Sequence, residues 1–524
     1  MSKLMLLDCT LRDGGYINDW RFGRNVISSV CSKLSAAKID IIEVGFLTNL
    51  PHTEDNSLYA GSAELDAAAQ ECDRKESRVA AMIAIGEMEL DPEVLLPAAQ
   101  SALDIVRITF HNNDAELEKA FRFARTLTGK GYQVCMQPVG TTSYTDKELL
   151  DLIAEVNTLE PYAFYLVDTL GILQRKELQH FIDLIDHNLA PGIKLGFHSH
   201  NNLQMSFAHA QTLIEAGMKR PLIIDTSLRG MGRGAGNLCT ELLLQYLNDS
   251  QDKQYNLVPL LVIIDEFIDK IHSKTPWGYN LPYYLAASLR CHPNYAAFLS
   301  DKGTVPIAAI SDILSSVPEE KKSTYDKLLI QKLYLTYLAD KVDDSQTLRK
   351  LQEEIGQRTV LLLGPGSTMY TEREKILNYI AENNPYIVSV NFRPKRIAVD
   401  KVFISNIRRF EEQSDYSNVI ITSNIKNTNL PQLDYSSYLN DSAQADSALL
   451  MILQVLIRIG IKSISCAGMD GYGEFKTNFY RADISAQPII SGEDRRNEDI
   501  SAELQRLSEK IGIHFITTTR YRLS

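Results

Sequence analysis

Two stretches of the chain place residues that could bind a metal ion at the ends of apolar, strand-like runs. Arg12 and Asp13 follow the run Leu4–Leu7, so a guanidinium and a carboxylate lie at the C-terminal end of a strand. His198 and His200 end a later run, and because they are two residues apart they point to the same face of that strand. Two imidazoles aimed at one point are half of a metal site.

Each stretch also has an ordinary structural interpretation. Arg12 and Asp13 could form a salt bridge where the strand ends. A single histidine is more often a satisfied core residue than a ligand, although the His-x-His spacing favours a metal. A third stretch, Ser227–Asn237, is rich in glycine. It could be a plain strand-to-helix turn, or a loop whose backbone holds carboxylates or phosphates.

The elements that must position these residues are strands alternating with amphipathic helices over roughly the first 240 residues, which predicts a (β/α)₈ TIM barrel. The eight strand-like runs are Leu4–Leu7, Ile39–Val44, Val79–Ile85, Ile105–Phe110, Gln133–Pro138, Ala163–Val167, Lys194–Phe197 and Leu222–Ile224. An open doubly wound sheet is the alternative. Polar, glycine-rich sequence follows almost every run and favours the barrel, because barrel enzymes build their sites at those strand ends.

In a closed barrel the first, seventh and eighth strands are neighbours, so Asp13, His198 and His200 can converge on one divalent ion. Two imidazoles and a carboxylate suit Mn²⁺, Fe²⁺, Co²⁺ or Zn²⁺, whereas Mg²⁺ prefers more oxygen ligands. Open positions on the metal would allow chelation of an α-keto acid. Arg12 beside that metal would stabilise an enolate oxygen.

Beyond the barrel domain, predicted at 1–250, we expect a helical annex at 251–345 and a small Rossmann-like α/β domain at 359–524. The α/β domain begins with the strand-like run Val360–Leu363, and a turn containing Gly364, Gly366 and Ser367 follows it. This turn could hold the phosphate of a cofactor at a helix N-terminus. Met369 stands where a dinucleotide fingerprint needs its third glycine, so a nucleotide or sugar ligand and a purely structural role both stay open.

The composition narrows the class of protein further. The chain has 524 residues, of which 44% are hydrophobic and 23% charged, which excludes a disordered or collagen-like protein. A net charge of -12 argues against a nucleic-acid partner, and no apolar run approaches the roughly 20 residues that span a bilayer. The seven cysteines are scattered without a Cys-x-x-Cys pair, which favours the reducing cytoplasm.

Four motifs together resemble the DRE-TIM metallolyases, which have HMGL-like or pyruvate carboxyltransferase-like domains. The motifs are Thr10-Leu11-Arg12-Asp13-Gly14-Gly15, Ile42-Glu43-Val44-Gly45-Phe46, His198-x-His200 and Gly234-Ala235-Gly236-Asn237. The resemblance covers about residues 1–290. The superfamily includes hydroxymethylglutaryl-CoA lyase, isopropylmalate synthase and 4-hydroxy-2-oxovalerate aldolase. The resemblance implies an enolate of a keto acid or acyl-CoA, held by a divalent metal.

The resemblance also implies roles for individual residues. Arg12 is the arginine that stabilises the enolate, and Glu43 orients either Arg12 or the first loop. The implied metal ligands are Asp13, His198, His200 and, as used in some branches, Asn237.

The closest branch resembles the 4-hydroxy-2-oxovalerate aldolases. Condensing synthases usually read Arg-Asp-Gly-Glu-Gln after the first strand, whereas this chain reads Arg-Asp-Gly-Gly-Tyr. The aldolases carry a histidine base where this chain has Tyr16, and a tyrosine near its free pKa of roughly 10 is a poor base at neutral pH. Either nearby positive charge tunes Tyr16, or His52, His111 or a metal-bound water serves as the base.

The sequence therefore predicts a cytoplasmic, divalent-metal-dependent aldolase, a carbon–carbon lyase acting through a pyruvate-type enolate on a 4-hydroxy-2-oxo acid. Mn²⁺ is the expected metal, with Co²⁺, Mg²⁺ or Zn²⁺ as alternatives. The partners expected are a 2-oxo acid and an aldehyde, and either a second copy of the chain or an enzyme docked on the helical annex. The alternatives are a Claisen-type acyl-CoA synthase or lyase on the same barrel, and a nucleotide- or nucleotide-sugar-binding enzyme acting through the C-terminal domain.

Overall fold

The computed structural model describes residues 4–251, 254–426, 429–440, 442, 444–473 and 493–523. The chain separates into two compact units. The first comprises Met1–Ala297 and Pro318–Tyr325, and the second comprises Phe298–Val317 and Asp326–Ser524. The helical segment predicted at 251–345 is thus divided between the two units, and the domain boundaries drawn from the sequence stay predictions.

Eight parallel strands of the first unit close into a barrel, which confirms the predicted TIM-barrel fold. The strands of this unit are β1 (Leu4–Asp8), β2 (Ile41–Leu47), β3 (Leu58–Tyr59), β4 (Arg78–Ala84), β5 (Ile105–Phe110), β6 (Gln133–Pro138), β7 (Ala163–Asp168), β8 (Lys194–Ser199) and β9 (Leu222–Thr226). Because β1 pairs with both β9 and β2, the sheet has no open edge there. The two-residue β3 only extends the pairing of β2.

Helices surround the barrel and continue past it. They are α1 (Thr10–Asp13), α2 (Arg24–Ala36), α3 (Ser62–Ala68), α4 (Asp114–Gly129), α5 (Asp146–Leu159), α6 (Arg175–Asn188), α7 (Ser206–Glu215), α8 (Thr240–Ser250), α9 (Val258–Ile263), α10 (Asp269–Lys274), α11 (Leu281–Ser288) and α12 (Pro293–Lys302). The start of α5 has the capping box that its sequence predicts: Thr145 Oγ1 accepts from the Glu148 amide, and Glu148 accepts from the Thr145 amide.

The interior of the barrel is apolar at one end and charged at the other. Side chains of a strand alternate between its two faces, so inward positions recur every two residues. The apolar inward layer includes Ile41 on β2, Ile105 on β5 and Ile223 on β9. Two positions later on the same strands, towards their carboxyl ends, charged residues take the inward positions. This switch places the polar part of the interior at the end where barrel enzymes have their sites.

The second unit is a doubly wound α/β sheet, as predicted. Its strands are β10 (Val360–Leu363), β11 (Tyr386–Val390), β12 (Lys401–Ile404), β13 (Val419–Thr422), β14 (Gln432–Leu433), β15 (Ser463–Ala467) and β16 (Gly512–Phe515), and its helices are α13 (Ile307–Ser315), α14 (Lys327–Leu338), α15 (Ser345–Ile355), α16 (Thr368–Thr371), α17 (Arg373–Asn383), α18 (Ile407–Glu411), α19 (Ala448–Arg458) and α20 (Glu493–Ser508). All strand pairs are parallel in the order β14-β13-β12-β11-β10-β15-β16. The strand order reverses between β10 and β15, which is where such sheets have their crevice. Across the described part of the chain, no helix combines the length and apolarity needed to cross a bilayer.

We expect Gly196→Ala to destabilise the protein, because a Cβ at Gly196 in β8 would overlap the Tyr165 ring. Overpacking of this kind costs about 1–3 kcal/mol. Differential scanning calorimetry should therefore show a lower Tm for the barrel transition. Gly192→Ala, in the exposed turn before β8, is the matched control, since a Cβ there would meet no atom within 4 Å. Equal Tm values for the two variants would contradict the packing described for β8.

Candidate active site

The polar end of the barrel contains acidic and basic side chains on three strands that the hydrophobic pattern of the sequence also predicts. Glu43 on β2, Arg107 on β5 and Asp225 on β9 all take inward positions. Glu43 and Arg107 are fully buried, and Asp225 is 3% exposed. A charge in such a position is stable only if it is paired and hydrogen-bonded.

Arg12 connects the first strand to this buried layer. Its Nε donates to Glu43 Oε2 at 2.9 Å, and its Nη1 donates to Asp13 Oδ1 at 2.6 Å. Glu43 Oε2 also accepts from Arg107 Nη1 at 2.6 Å. The two arginines thus share one carboxylate, and Arg12 is held in a single orientation by two acids.

Arg107 continues the connection to the histidine pair. Its Nη2 donates to Asp225 Oδ2, and the same oxygen lies 3.0 Å from His198 Nδ1. In the tautomer whose Nδ1–H donates to Asp225, Nε2 of His198 presents the lone pair that a metal binds. The six side chains form what we call the ion-pair chain: Asp13, Arg12, Glu43, Arg107, Asp225 and His198. No more than 7% of any of these side chains is exposed.

A candidate metal-binding group lies where the two ends of the ion-pair chain meet. One ligand atom from each of Asp13, His198 and His200 lies within 4.8 Å of the others, and all three residues are buried. Asn237 donates from Nδ2 to Asp13 Oδ2 at 2.5 Å. His200 Nδ1 and Asn237 Oδ1 are buried without a hydrogen-bond partner among the described residues. Orphaned acceptors around a carboxylate and two imidazoles fit a divalent cation.

The electrostatics of this group favour ligands in their metal-binding forms. Burial alone would raise the pKa of Asp13, but Arg12, the largest opposing influence, holds that pKa well below its ordinary value. Burial lowers the pKa of His200 to about 3, so its imidazole is neutral at physiological pH. Asp13 is therefore ionised and His200 uncharged, as a metal requires.

A second candidate group shares His198 but is less suited to a cation. It consists of Cys9, His198 and Asp225. Burial, the largest influence, raises the pKa of the Cys9 thiol well above its ordinary value, whereas a coordinating thiol must lose its proton. Asp225 is moreover already engaged by Arg107 and His198. The group with Asp13 and His200 is the better candidate.

The glycine-rich loop after β9 closes over the site. A Cβ at Gly232 would overlap both Asn237 and Asp13, so only glycine lets the backbone pass so close to these side chains. The loop predicted to be either a turn or a cradle thus forms part of the site. It also carries Arg233, whose guanidinium lies 4.8 Å above the Tyr16 ring.

Tyr16 lies beside the site but does not have the character of a base. Burial raises its pKa, and the opposing influence of Arg233 is smaller. The phenol therefore stays protonated at neutral pH and can donate a proton or a hydrogen bond. Of the other predicted bases, His52 bonds the Leu58 carbonyl through Nδ1 at 2.7 Å and does not line the cavity, whereas His111 does.

A cavity of about 860 Å³ opens above the strand ends, and all residues that line it belong to the first unit. Its wall includes seven of the residues described above: Arg12, Asp13, Tyr16, His111, His198, His200 and Arg233. Polar residues from the loops beyond the strands form another part, including Asn112, Ser143, Thr169, Ser323 and Thr324. The volume is near the upper end of the roughly 300–1,000 Å³ typical of small-molecule sites.

The turn predicted to bind a cofactor phosphate lies in the second unit, after β10. Its hydrogen-bond donors already have a partner inside the chain, because Asp470 accepts from Ser367 Oγ at 3.0 Å and from the Thr368 amide at 2.9 Å. Gly366 donates to the Gly468 carbonyl at 2.8 Å, and a Cβ at Gly364 would overlap that same carbonyl oxygen. Asp470 thus already accepts hydrogen bonds from donors that a phosphate at this turn would use, and cofactor binding at Gly364, Gly366 and Ser367 stays a prediction.

Sequence reasoning missed Arg107, Asp225 and His292, which also lines the cavity. Arg107 interrupts the run Ile105–Phe110, and Asp225 directly follows the run Leu222–Ile224; both runs were interpreted only as strands. An unpaired charge inside a buried strand is costly, so its presence was the signal for a partner across the barrel. His292 gave no such signal, because the helices that follow β9 have no strand periodicity to indicate which side chains face the site.

A closed barrel with buried acids, imidazoles and an arginine at the carboxyl ends of its strands defines a TIM-barrel enzyme. A family model described as HMGL-like matches residues 3–263. A 4-hydroxy-2-oxovalerate aldolase from Bacillus cereus is 30% identical over 247 residues, which are 46% of this chain and 69% of that protein. Another, from Spirochaeta aurantia, is 29% identical over 249 residues, covering 47% and 70%.

The chain belongs to the HMGL-like family of the DRE-TIM superfamily, and it is a carbon–carbon lyase. Among solved structures, the N-terminal domain of a candidate aldolase from Bacteroides vulgatus is 26% identical. The match has a TM-score of 0.47 and covers 56% of this chain and 96% of that chain.

We expect Asp225→Asn to weaken the binding of Mn²⁺ by about 10- to 100-fold, the usual effect of losing the partner that orients a metal-binding histidine. The amide of the variant carries no negative charge, so it pairs less strongly with Arg107 and orients His198 less strongly than the carboxylate does. Isothermal titration calorimetry on the folded variant measures the affinity. Asp183→Asn, on the exposed face of α6, is the control. Unchanged Mn²⁺ affinity in Asp225→Asn would show that His198 does not bind the metal through the proposed nitrogen.

Proposed function

We propose that this protein is a divalent-metal-dependent aldolase that forms or cleaves a 4-hydroxy-2-oxo acid through the enolate of pyruvate or a related 2-oxo acid. The observation that carries the proposal is Arg12, a fully ionised guanidinium fixed by Glu43 and Asp13 beside the candidate metal group. The curated relatives named 4-hydroxy-2-oxovalerate aldolase support the choice of reaction.

Arg12 is suited to hold the negative charge that develops on the substrate. Burial alone would lower its pKa, but Glu43 and Asp13 outweigh burial and raise it, so the charge is permanent. Its bonds to the two carboxylates use Nε and Nη1, which leaves the donors of Nη2 for an enolate oxygen. A donor positioned in advance in a buried site stabilises such a charge without reorganisation.

We propose Asp13, His198, His200 and Asn237 as the residues that hold the metal. When bound, a divalent cation supplies a Lewis acid that polarises the 2-oxo group. Mn²⁺ is the metal we propose, because two imidazoles with a carboxylate and an amide oxygen suit it, and Co²⁺, Mg²⁺ or Zn²⁺ are the alternatives.

Tyr16 is suited to the aldehyde end of the reaction. In the addition direction, the new carbon–carbon bond leaves negative charge on the former aldehyde oxygen, and this oxygen must take up a proton. Burial keeps the Tyr16 phenol protonated by raising its pKa, and the residue lines the same cavity as Arg12. We propose that Tyr16 donates this proton, which becomes that of the C4 hydroxyl group.

We propose a cytoplasmic enzyme whose all-thiol cysteines fit a reducing compartment, acting as a homo-oligomer or with an enzyme docked on the helical annex. A Claisen-type acyl-CoA reaction has less support, because the curated relatives are aldolases.

The proposal predicts that the metal-loaded protein exchanges the methyl protons of pyruvate for deuterium in D₂O, because enolate formation needs no aldehyde. Proton NMR measures the rate. We expect exchange to stop when EDTA removes the metal and to fall about 100-fold or more in Arg12→Gln. Arg125→Gln, on the exposed face of α4, is the matched control. A wild-type protein that binds Mn²⁺ but exchanges no methyl proton would contradict a pyruvate enolate.

A further inference from the structure

Arg233 is a cation of the cavity that forms no ion pair with any acid in the described part of the chain. Its side chain lines the cavity and lies 4.8 Å above the Tyr16 ring. Among the described residues, no carboxylate lies within salt-bridge distance of it. Arg12, the other arginine of the cavity wall, is already paired with Glu43 and Asp13.

The acids of the cavity wall do not serve as partners for Arg233. Glu116 accepts from the His111 amide at 2.7 Å and lies 3.0 Å from His111 Nδ1. Glu87 lies 3.9 Å from His111 Nε2. Both glutamates therefore lie against His111 at the end of β5. Within the described ranges no acid occupies the guanidinium of Arg233, which can bind an anion from outside the chain.

His292 offers a second donor to the same cavity. Its Nδ1 accepts a hydrogen bond from the Asn294 amide at 3.1 Å, so Nδ1 carries no proton. The proton of the neutral ring is then on Nε2. Burial lowers the pKa of His292 to about 3, and the charge of Arg233 acts in the same direction. The ring is therefore neutral at physiological pH. His292 thus contributes an N–H donor to the cavity, which it lines together with Ser323 and Thr324.

The cavity is larger than the smallest aldol reaction needs. Its volume of about 860 Å³ is in the range of sites that hold drug-sized molecules, whereas a five-carbon 4-hydroxy-2-oxo acid has nine non-hydrogen atoms. The metal group and Arg12 provide for the 2-oxo acid end of the substrate. The rest of the cavity is available to the aldehyde partner.

We propose that Arg233 and His292 bind an oxyanion, a carboxylate or a phosphate, carried by the aldehyde partner at the end remote from its carbonyl. The inference rests on the proposed aldolase function and specifies its electrophile as an anionic aldehyde larger than acetaldehyde. A guanidinium fork and a neutral N–H donor together suit the oxygens of either anion.

The test compares anionic aldehydes with neutral aldehydes of similar length in aldol addition to pyruvate with Mn²⁺ present. Glyceraldehyde 3-phosphate is paired with glyceraldehyde, and succinic semialdehyde is paired with butanal. We expect the wild-type protein to prefer the anion of at least one pair by tenfold or more in kcat/KM, since bonds to charged groups are among the strongest polar contacts. The pair that shows the preference tells phosphate from carboxylate.

The variants locate the source of that preference. Arg233→Gln and His292→Phe should each reduce the ratio of anionic to neutral kcat/KM by tenfold or more, whereas Arg125→Gln should retain it. Wild-type activity with no preference in either pair would overturn the inference but leave the aldolase proposal standing. A preference that survives in Arg233→Gln would also overturn it. Inactivity with all four aldehydes and no pyruvate exchange would instead count against the aldolase proposal.

A binding measurement keeps the inference testable without turnover. Glycerol 3-phosphate and butyrate are titrated into the wild-type protein and into folded Arg233→Gln, with glycerol and butanol as neutral controls. We expect one of the two anions to bind at least tenfold more weakly to the variant. Equal affinities of the two proteins for both anions would overturn the assignment of Arg233.

Discussion

The site depends on a chain of buried charges that the barrel can tolerate only as a whole. The ion-pair chain alternates acid and base from Asp13 to His198. Glu43 lies between two guanidinium groups, and Asp225 lies between the Arg107 guanidinium and the His198 imidazole. Removing one member would leave an uncompensated charge in the interior, which typically costs about 3–5 kcal/mol. Four strands and the first turn must therefore keep their registers for the chain to be satisfied.

The same interaction explains how the reactive groups are held. Glu43 and Asp13 fix the plane of Arg12, and Asp225 fixes the rotation of the His198 ring. Arg107 has no direct part in either, but it joins Glu43 to Asp225 across the barrel. The enolate-binding arginine and the metal-binding histidine of the proposed mechanism are thus positioned by one network, so a change at either end should affect the other.

The sequence predicted the fold well, because the barrel strands bury every second residue or more and leave a clear hydrophobic pattern. The motifs at the strand ends likewise led to Asp13 and to the histidine pair. The sequence could not show which buried charges pair across the barrel, since Arg107 and Asp225 are 118 residues apart. Nor could it show that burial outweighs the effect of Arg233 on the pKa of Tyr16. It also could not show that Asp470 accepts hydrogen bonds from the turn predicted to bind a phosphate. These depend on distances that only folding sets.

We propose that, among the described residues of the barrel, a divalent cation binds between Asp13, His198 and His200. Anomalous diffraction at the manganese edge from Mn²⁺-soaked crystals tests it most directly. We expect one strong peak bonded to these three side chains, with Asn237 Oδ1 turned towards it. A peak at Cys9 and Asp225, or no peak in the barrel at saturating Mn²⁺, would contradict it.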